Sequence, residues 1–103
     1  MGQAPTIDLV TEEADGTFVL VMLEKGGWNG SRSRLRDLQA RINAYLSFAL
    51  DGQLVQNFPD AEGKPLRIRI ECTETPDPVS IEFISKVRQQ VLDFGVSLEW
   101  VTL

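Results

Sequence analysis

At 103 residues the chain has the length of one domain with one core, and a domain of that size folds without a metal or disulfides. Ten basic against fifteen acidic side chains give a net charge of −5, with no histidine. That balance disfavours nucleic acid and anionic membranes as partners, and the missing imidazole removes the commonest general base, the usual zinc ligand and every Ser–His or Cys–His nucleophile pair.

A single cysteine, Cys72, excludes an internal disulfide and points to a reducing, cytoplasmic setting. Residues 1–6, MGQAPT, show no basic segment followed by an apolar one, so no secretory signal is expected. Gly2 with Thr6 fits the short N-myristoylation pattern, which many chains match by chance, and residues 1–5 read as a frayed start. The longest apolar run, Phe18 to Leu23, is too short to span a bilayer.

Ile7 to Val10 reads as a short strand, and Asp15-Gly16 as a hairpin turn into a second strand, Thr17 to Leu23. That second strand is apolar on both faces, as in an interior strand covered twice or one whose second face meets a partner. A helix follows from Ser31 or Ser33 to Leu50, with Leu35, Leu38, Ile42, Tyr45, Leu46 and Ala49 on one stripe and Gly52 as the stop. Residues 53–65 read as a connection pinned by Leu54, Val55 and Phe58. Leu66 to Cys72 alternates, so it is a strand with one wet face carrying Arg67 and Arg69, and Cys72 points inward as an inert thiol. Thr75 or Asp77 caps a second helix with Pro78 at its first position. It runs to about Phe94 with Val79, Phe83, Val87 and Val91 on a stripe joined by Ile84 and Leu92. Gly95 ends it, and Val96 to Leu103 is the last strand, with Val96, Leu98 and Trp100 on one face and Val101 and Leu103 on the other.

The order β-β-α-β-α-β predicts a single α+β domain over residues 1–103. Strands two, three and four are expected to be parallel through right-handed crossovers, with the first strand antiparallel beside the second. Two helices then cover one face of a four-stranded mixed sheet in a two-layer sandwich.

The segments IDLV, FVLVMLEKGGW, LQARINAYLSFALDGQL, FPDAEGKPLRIRI and PVSIEFISKV together resemble a small family of bacterial proteins of unknown function. The resemblance covers most of the chain and implies a compact α+β domain. It carries no catalytic motif.

The one stretch that looks like a site is the strand–turn–helix junction. Gly26, Gly27, Gly30 and Ser31 are placed to form an anion-binding nest, with Arg32, Arg34 and Arg36 in the helix start and Trp28 between the glycines. The phosphate-loop spacing fails, because Gly26 and Gly30 are too close and no lysine follows Gly30; the dinucleotide glycine pattern fails as well. The competing reading is a turn whose arginines are solvated or paired with Glu12, Glu13 or Glu24, under a Trp28 that lids the core edge. Asp37 with Arg41, and Glu82 with Lys86, have the spacing of helical ion pairs.

Once the helices cover the face bearing Phe18, Leu20, Met22, Leu66, Ile68 and Ile70, the residues Val10, Val19, Val21, Leu23, Val101 and Leu103 are expected on the open face. There Val19, Val21, Leu23, Val101 and Leu103 form a candidate interface, and leftover apolar surface of that kind marks association. The sequence therefore predicts a non-enzymatic interaction module, homodimeric or bound to another protein, with no catalytic residue, cofactor or metal. The alternative is a small-anion or nucleotide-binding protein using residues 26–36.

Overall fold

A computed structural model describes residues 9–103. The expected frayed start, the Gly2 acceptor and the first two positions of the strand expected over Ile7 to Val10 lie outside the described residues, and its last two fall in the first strand of the structure. Four strands and three α-helices follow in the order β1 (Leu9–Glu12), β2 (Phe18–Glu24), α1 (Arg32–Leu50), α2 (Gln53–Asn57), β3 (Leu66–Cys72), α3 (Pro78–Leu92) and β4 (Val96–Thr102). The sheet order is β1-β2-β3-β4, with β1 antiparallel to β2 and the other two pairings parallel. Because the parallel strands are consecutive, both crossovers step the same way, and right-handed connections put α1 and α3 on one face. This is the two-layer mixed-sheet architecture expected from the sequence.

The hairpin turn is held by its own polar groups. The Glu13 N–H donates to the Thr17 carbonyl (2.8 Å), and the Thr17 N–H donates to Asp15 Oδ1 (2.9 Å). That bond holds the exposed Asp15 carboxyl below its ordinary range. At the start of α1, Ser31 is the cap, its Oγ accepting the Arg34 N–H at 3.2 Å.

The core lies between the helices and Phe18, Leu20, Met22, Ile68, Ile70, Cys72, Val96 and Leu98, with Leu38, Ile42, Tyr45 and Phe48 entering from α1. Burial raises the Cys72 thiol pKa above its ordinary value. From α3 the inward stripe is Ser80, Ile84, Val87 and Val91, while Val79 and Leu92 are exposed and Phe83 half-buried. The expected stripe used equal four-residue steps, which drift around a helix of about 3.6 residues per turn and carry Val79 off the face. The helix closes at Leu92 rather than Phe94, because the N–H groups of Asp93, Phe94 and Gly95 turn back to the third carbonyl before each.

Two further expectations are corrected. The segment after Asp51 is not plain connection: α2 and a single 3₁₀ turn, Pro59–Ala61, fill it. Leu54 and Ala61 are buried there, whereas Phe58 is exposed. Val10 does not lie on the open face; antiparallel register sets it opposite Leu20, on the helix side, where it packs against the core.

Candidate functional site

Glu24 ends β2 in phase with Phe18, Leu20 and Met22, so its carboxylate is carried toward the helix layer and is only 3% exposed. A carboxylate so placed needs a cation, and α1 supplies two. Arg34 Nη1 donates to Glu24 Oε1 at 2.7 Å, and Arg41 pairs with Oε2 while also donating to the Leu23 carbonyl at 3.0 Å. Arg41 therefore reaches back to the strand. The Arg34 guanidinium also lies 4.0 Å from the centre of the Trp28 ring, a cation–π contact.

The turn is clamped to the loop that leaves β3. The Thr73 N–H donates to the Glu24 carbonyl (3.1 Å), the Gly26 N–H to Thr73 Oγ1 (3.1 Å), and Trp28 Nε1–H to the Glu74 carbonyl (3.2 Å). Gly30 has φ +66°, and a Cβ there would lie 2.8 Å from Asp77 Oδ2 and 3.3 Å from Val79 Cβ, so a larger residue between this turn and the cap of α3 is strained and must push Asp77 aside. Asp77 occupies the N-cap position of α3 without a capping hydrogen bond.

Three of the donors that an anion nest would use are taken up inside the chain, while Arg34 Nη2 is buried without a hydrogen-bond partner among the described residues. Gly26 N–H serves Thr73, Ser31 N–H serves Asn29 Oδ1 (2.9 Å), and the Arg34 guanidinium serves Glu24. Gly27 faces the Glu74 carboxylate, 3.7 Å from where its Cβ would be, which repels an anion. Trp28 is half-buried against the core, as a lid is. Arg32 and Arg36 are exposed and line a depression beside Leu35, Gln39 and Phe83. Of the eight junction residues singled out in the sequence, Trp28 and Arg34 stack on one another and Ser31 caps the helix that carries Arg34; Arg32 and Arg36 turn away.

The middle of the open sheet face carries a network of ion pairs where apolar surface was expected. Parallel register sets Arg67 beside Val19 and Ser97, and Arg69 beside Val21 and Glu99. Glu13 accepts from both arginines, at 2.8 Å from Arg67 Nη1 and 2.9 Å from Arg69 Nη2, and Arg69 Nε donates to Glu99 Oε2 at 2.5 Å. These bonds push the Arg69 guanidinium pKa above its ordinary value. Val19 and Val21 are 0% and 4% exposed within the single chain, so they have no surface to give a partner. Leu23 and Val101 are half-buried on either side of Glu71, and Leu103 is exposed at the strand end.

Sequence reasoning named Glu24 among the acidic partners of the junction arginines, and Arg34 does pair with it. It did not foresee that Arg41 joins them or that Glu24 is buried, although the period-two phase of Glu24 with the core residues was a signal for that. It also missed the free edge of β4. Among the described residues that strand pairs with β3 on one side only, over seven residues. No proline or lysine interrupts it, and its central charge, Glu99, is tied to Arg69.

Among the described residues no group of three or more Cys, Asp or Glu side chains is placed to hold a metal ion, and no helix is long and apolar enough to cross a membrane. A family model described as a family of unknown function, DUF6572, matches residues 1–103, and the chain belongs to that family. No curated protein and no solved structure matches it significantly.

Proposed function

We propose that this member of a family of unknown function is a non-enzymatic interaction module that pairs with a second copy of itself along β4. The observation that carries this reading is the free edge of β4. An exposed edge is a template for another strand, and proteins that stay monomeric blunt it with prolines, lysines, bulges or short length. Here the strand is seven residues long and regularly paired on its inner side, whereas the opposite edge, β1, runs only Leu9–Glu12.

The Leu103 N–H donates to the Cys72 carbonyl, so by alternation Leu98, Trp100 and Thr102 turn their backbone groups to the free side. Two-fold symmetry demands antiparallel pairing. A two-fold axis at Glu99 would set two carboxylates opposite each other. An axis at Trp100 sets Glu99 opposite Val101 and Leu98 opposite Thr102, and joins two sheets into one. The acidic balance and single buried thiol support a cytoplasmic setting for this pairing.

Size-exclusion chromatography with light scattering tests the pairing. The expected mass is that of two chains at high concentration. Thr102→Pro, which removes an outward N–H, is expected to give one chain, as is Val101→Glu, which sets like charges against Glu99. A one-chain mass for the unaltered protein at every concentration, or two chains in both folded variants, would overturn the reading.

A further inference from the structure

The flank of α1 that faces α3 is not closed by α3. Two depressions follow one another along it. The first is floored by Leu35 and walled by Phe83, with Arg32 and Arg36 on its rim. The second lies between Leu46, Leu50 and Phe94, with Asp51 at its far end. Between them Gln39 Nε2 donates to Asn43 Oδ1 at 3.1 Å, so the polar bridge is satisfied within the helix. Positions 35, 39, 43, 46 and 50 recur at three- and four-residue steps, which makes the two depressions one trough along one side of α1. From Leu35 to Leu50 it is about 22 Å long at ~1.5 Å per residue. Leu50 and Phe94 stand 47% and 61% exposed on it.

The charge along the trough is graded. α1 and α3 both return from parallel strands, so their N-termini lie at the same end, and both dipoles make that end positive. Arg32 and Arg36 add to it, and the first turn of α1 holds no acidic residue. Neither arginine has an ion-pair partner among the described residues. Two unpaired cations at a positive helix end, in a protein of net charge −5, oppose the local field. Asp51 and the two helix C-termini make the opposite end negative.

We propose that this trough seats an amphipathic helix of a partner protein, running antiparallel to α1 and α3, with apolar side chains in the two depressions and acidic side chains in its last turn against Arg32 and Arg36. A helix-in-groove contact of this kind reads a row of apolar anchors along one face. The antiparallel sense sets the negative C-terminal end of the incoming helix against the positive end of the trough. A second copy of this chain matches the charge gradient but not the shape, because a trough laid on a trough leaves both depressions empty. The trough and the β4 edge are separate surfaces, and neither proposal requires the other.

The probe is a fluorescein-labelled synthetic helix of about 15 residues, the length that fills the trough. It carries leucines on one face and glutamates in its last turn; a control peptide carries lysines there. Fluorescence anisotropy is expected to show the glutamate peptide binding about tenfold more tightly than the lysine peptide, an effect within the range that two exposed ion pairs supply. Arg32→Glu with Arg36→Glu is expected to invert that order. Both positions are exposed and the new charges suit the helix dipole, so the fold is kept. Leu46→Asp is expected to abolish binding of both peptides. Equal binding of the two peptides, or a preference unchanged by the charge reversal, would overturn the proposal. So would a two-chain mass that falls to one chain on charge reversal with the β4 edge intact, which would seat a second copy in the trough instead.

Discussion

Glu24→Gln isolates the clasp at the junction, because it removes the charge and keeps the shape. Glu24 is 3% exposed and holds Arg34 at 2.7 Å and Arg41 on its other oxygen. Breaking a fully buried ion pair typically costs about 3–5 kcal/mol, since the partner is left charged and desolvated. Here the partners keep 20% and 40% of their side-chain exposure, so the stranded guanidinium groups reach water and the loss is smaller. We expect about 2–3 kcal/mol, against a total stability of roughly 5–15 kcal/mol for a domain of this kind. Urea unfolding followed by circular dichroism is expected to show the midpoint falling by about 1–2 M at an unchanged slope. A double-mutant cycle with Arg34→Gln is expected to give a coupling above about 1 kcal/mol. A loss below about 0.5 kcal/mol, the worth of an exposed pair, would refute the reasoning, and Arg34 would then be available as an anion ligand.

Gly30→Ala meets Asp77 Oδ2 at 2.8 Å in a left-handed backbone conformation, while Gly26→Ala has the same sign of φ with nothing within 4 Å. Gly30→Ala is therefore expected to destabilise by about 1–3 kcal/mol, and measurably more than Gly26→Ala in the same urea titration. The Cys72 thiol, buried and with its pKa raised by that burial, is expected to resist Ellman's reagent in the native protein and react fully in denaturant; fast native labelling would contradict this. Asp15 has a pKa lowered chiefly by the bond it accepts from Thr17, so its charge stabilises the fold above the ordinary carboxylate range. That contribution is lost as the pH falls through the lowered pKa. Asp15→Asn is expected to be less stable than the unaltered chain near pH 7, with the gap closing below about pH 4; a gap that stays constant with pH would contradict it.

How far the fold was legible depended on which feature carried it. The β-β-α-β-α-β order followed from period-two runs and capping residues, and the crossovers' handedness then placed the helices on one face. What failed was local. Leu54, Val55 and Phe58 were expected to pin residues 53–65, yet of the three only Leu54 is fully buried, with Ala61 beside it, and Phe58 is exposed. A five-residue helix sets which side faces inward, and so short a helix has no periodicity to read. Val10 was assigned to the wrong face for a related reason: a four-residue strand shows its phase only through its register with the next strand.

The site was harder because its chemistry is distributed across the chain. Arg34 read alone is a cation at a helix start beside glycines, which is how an anion cradle looks. Its partner Glu24, one of three carboxylates offered for it, stands ten residues earlier, and what singles it out is its phase with Phe18, Leu20 and Met22. The same holds on the open face, where Arg67 and Arg69 meet Glu13 and Glu99 from two other strands. Their ion pairs make the middle of that face, around Val19 and Val21, polar, while Leu9 and Leu103 stay exposed at its margins. The two surfaces proposed above for a partner, the outer edge of β4 and the trough beside α1, lie away from that network, and at the trough's positive end Arg32 and Arg36 have no ion-pair partner among the described residues. Arginines that looked like one cluster thus separate by helical angle: Arg34 faces the core and holds the strand, while Arg32 and Arg36 rim the trough.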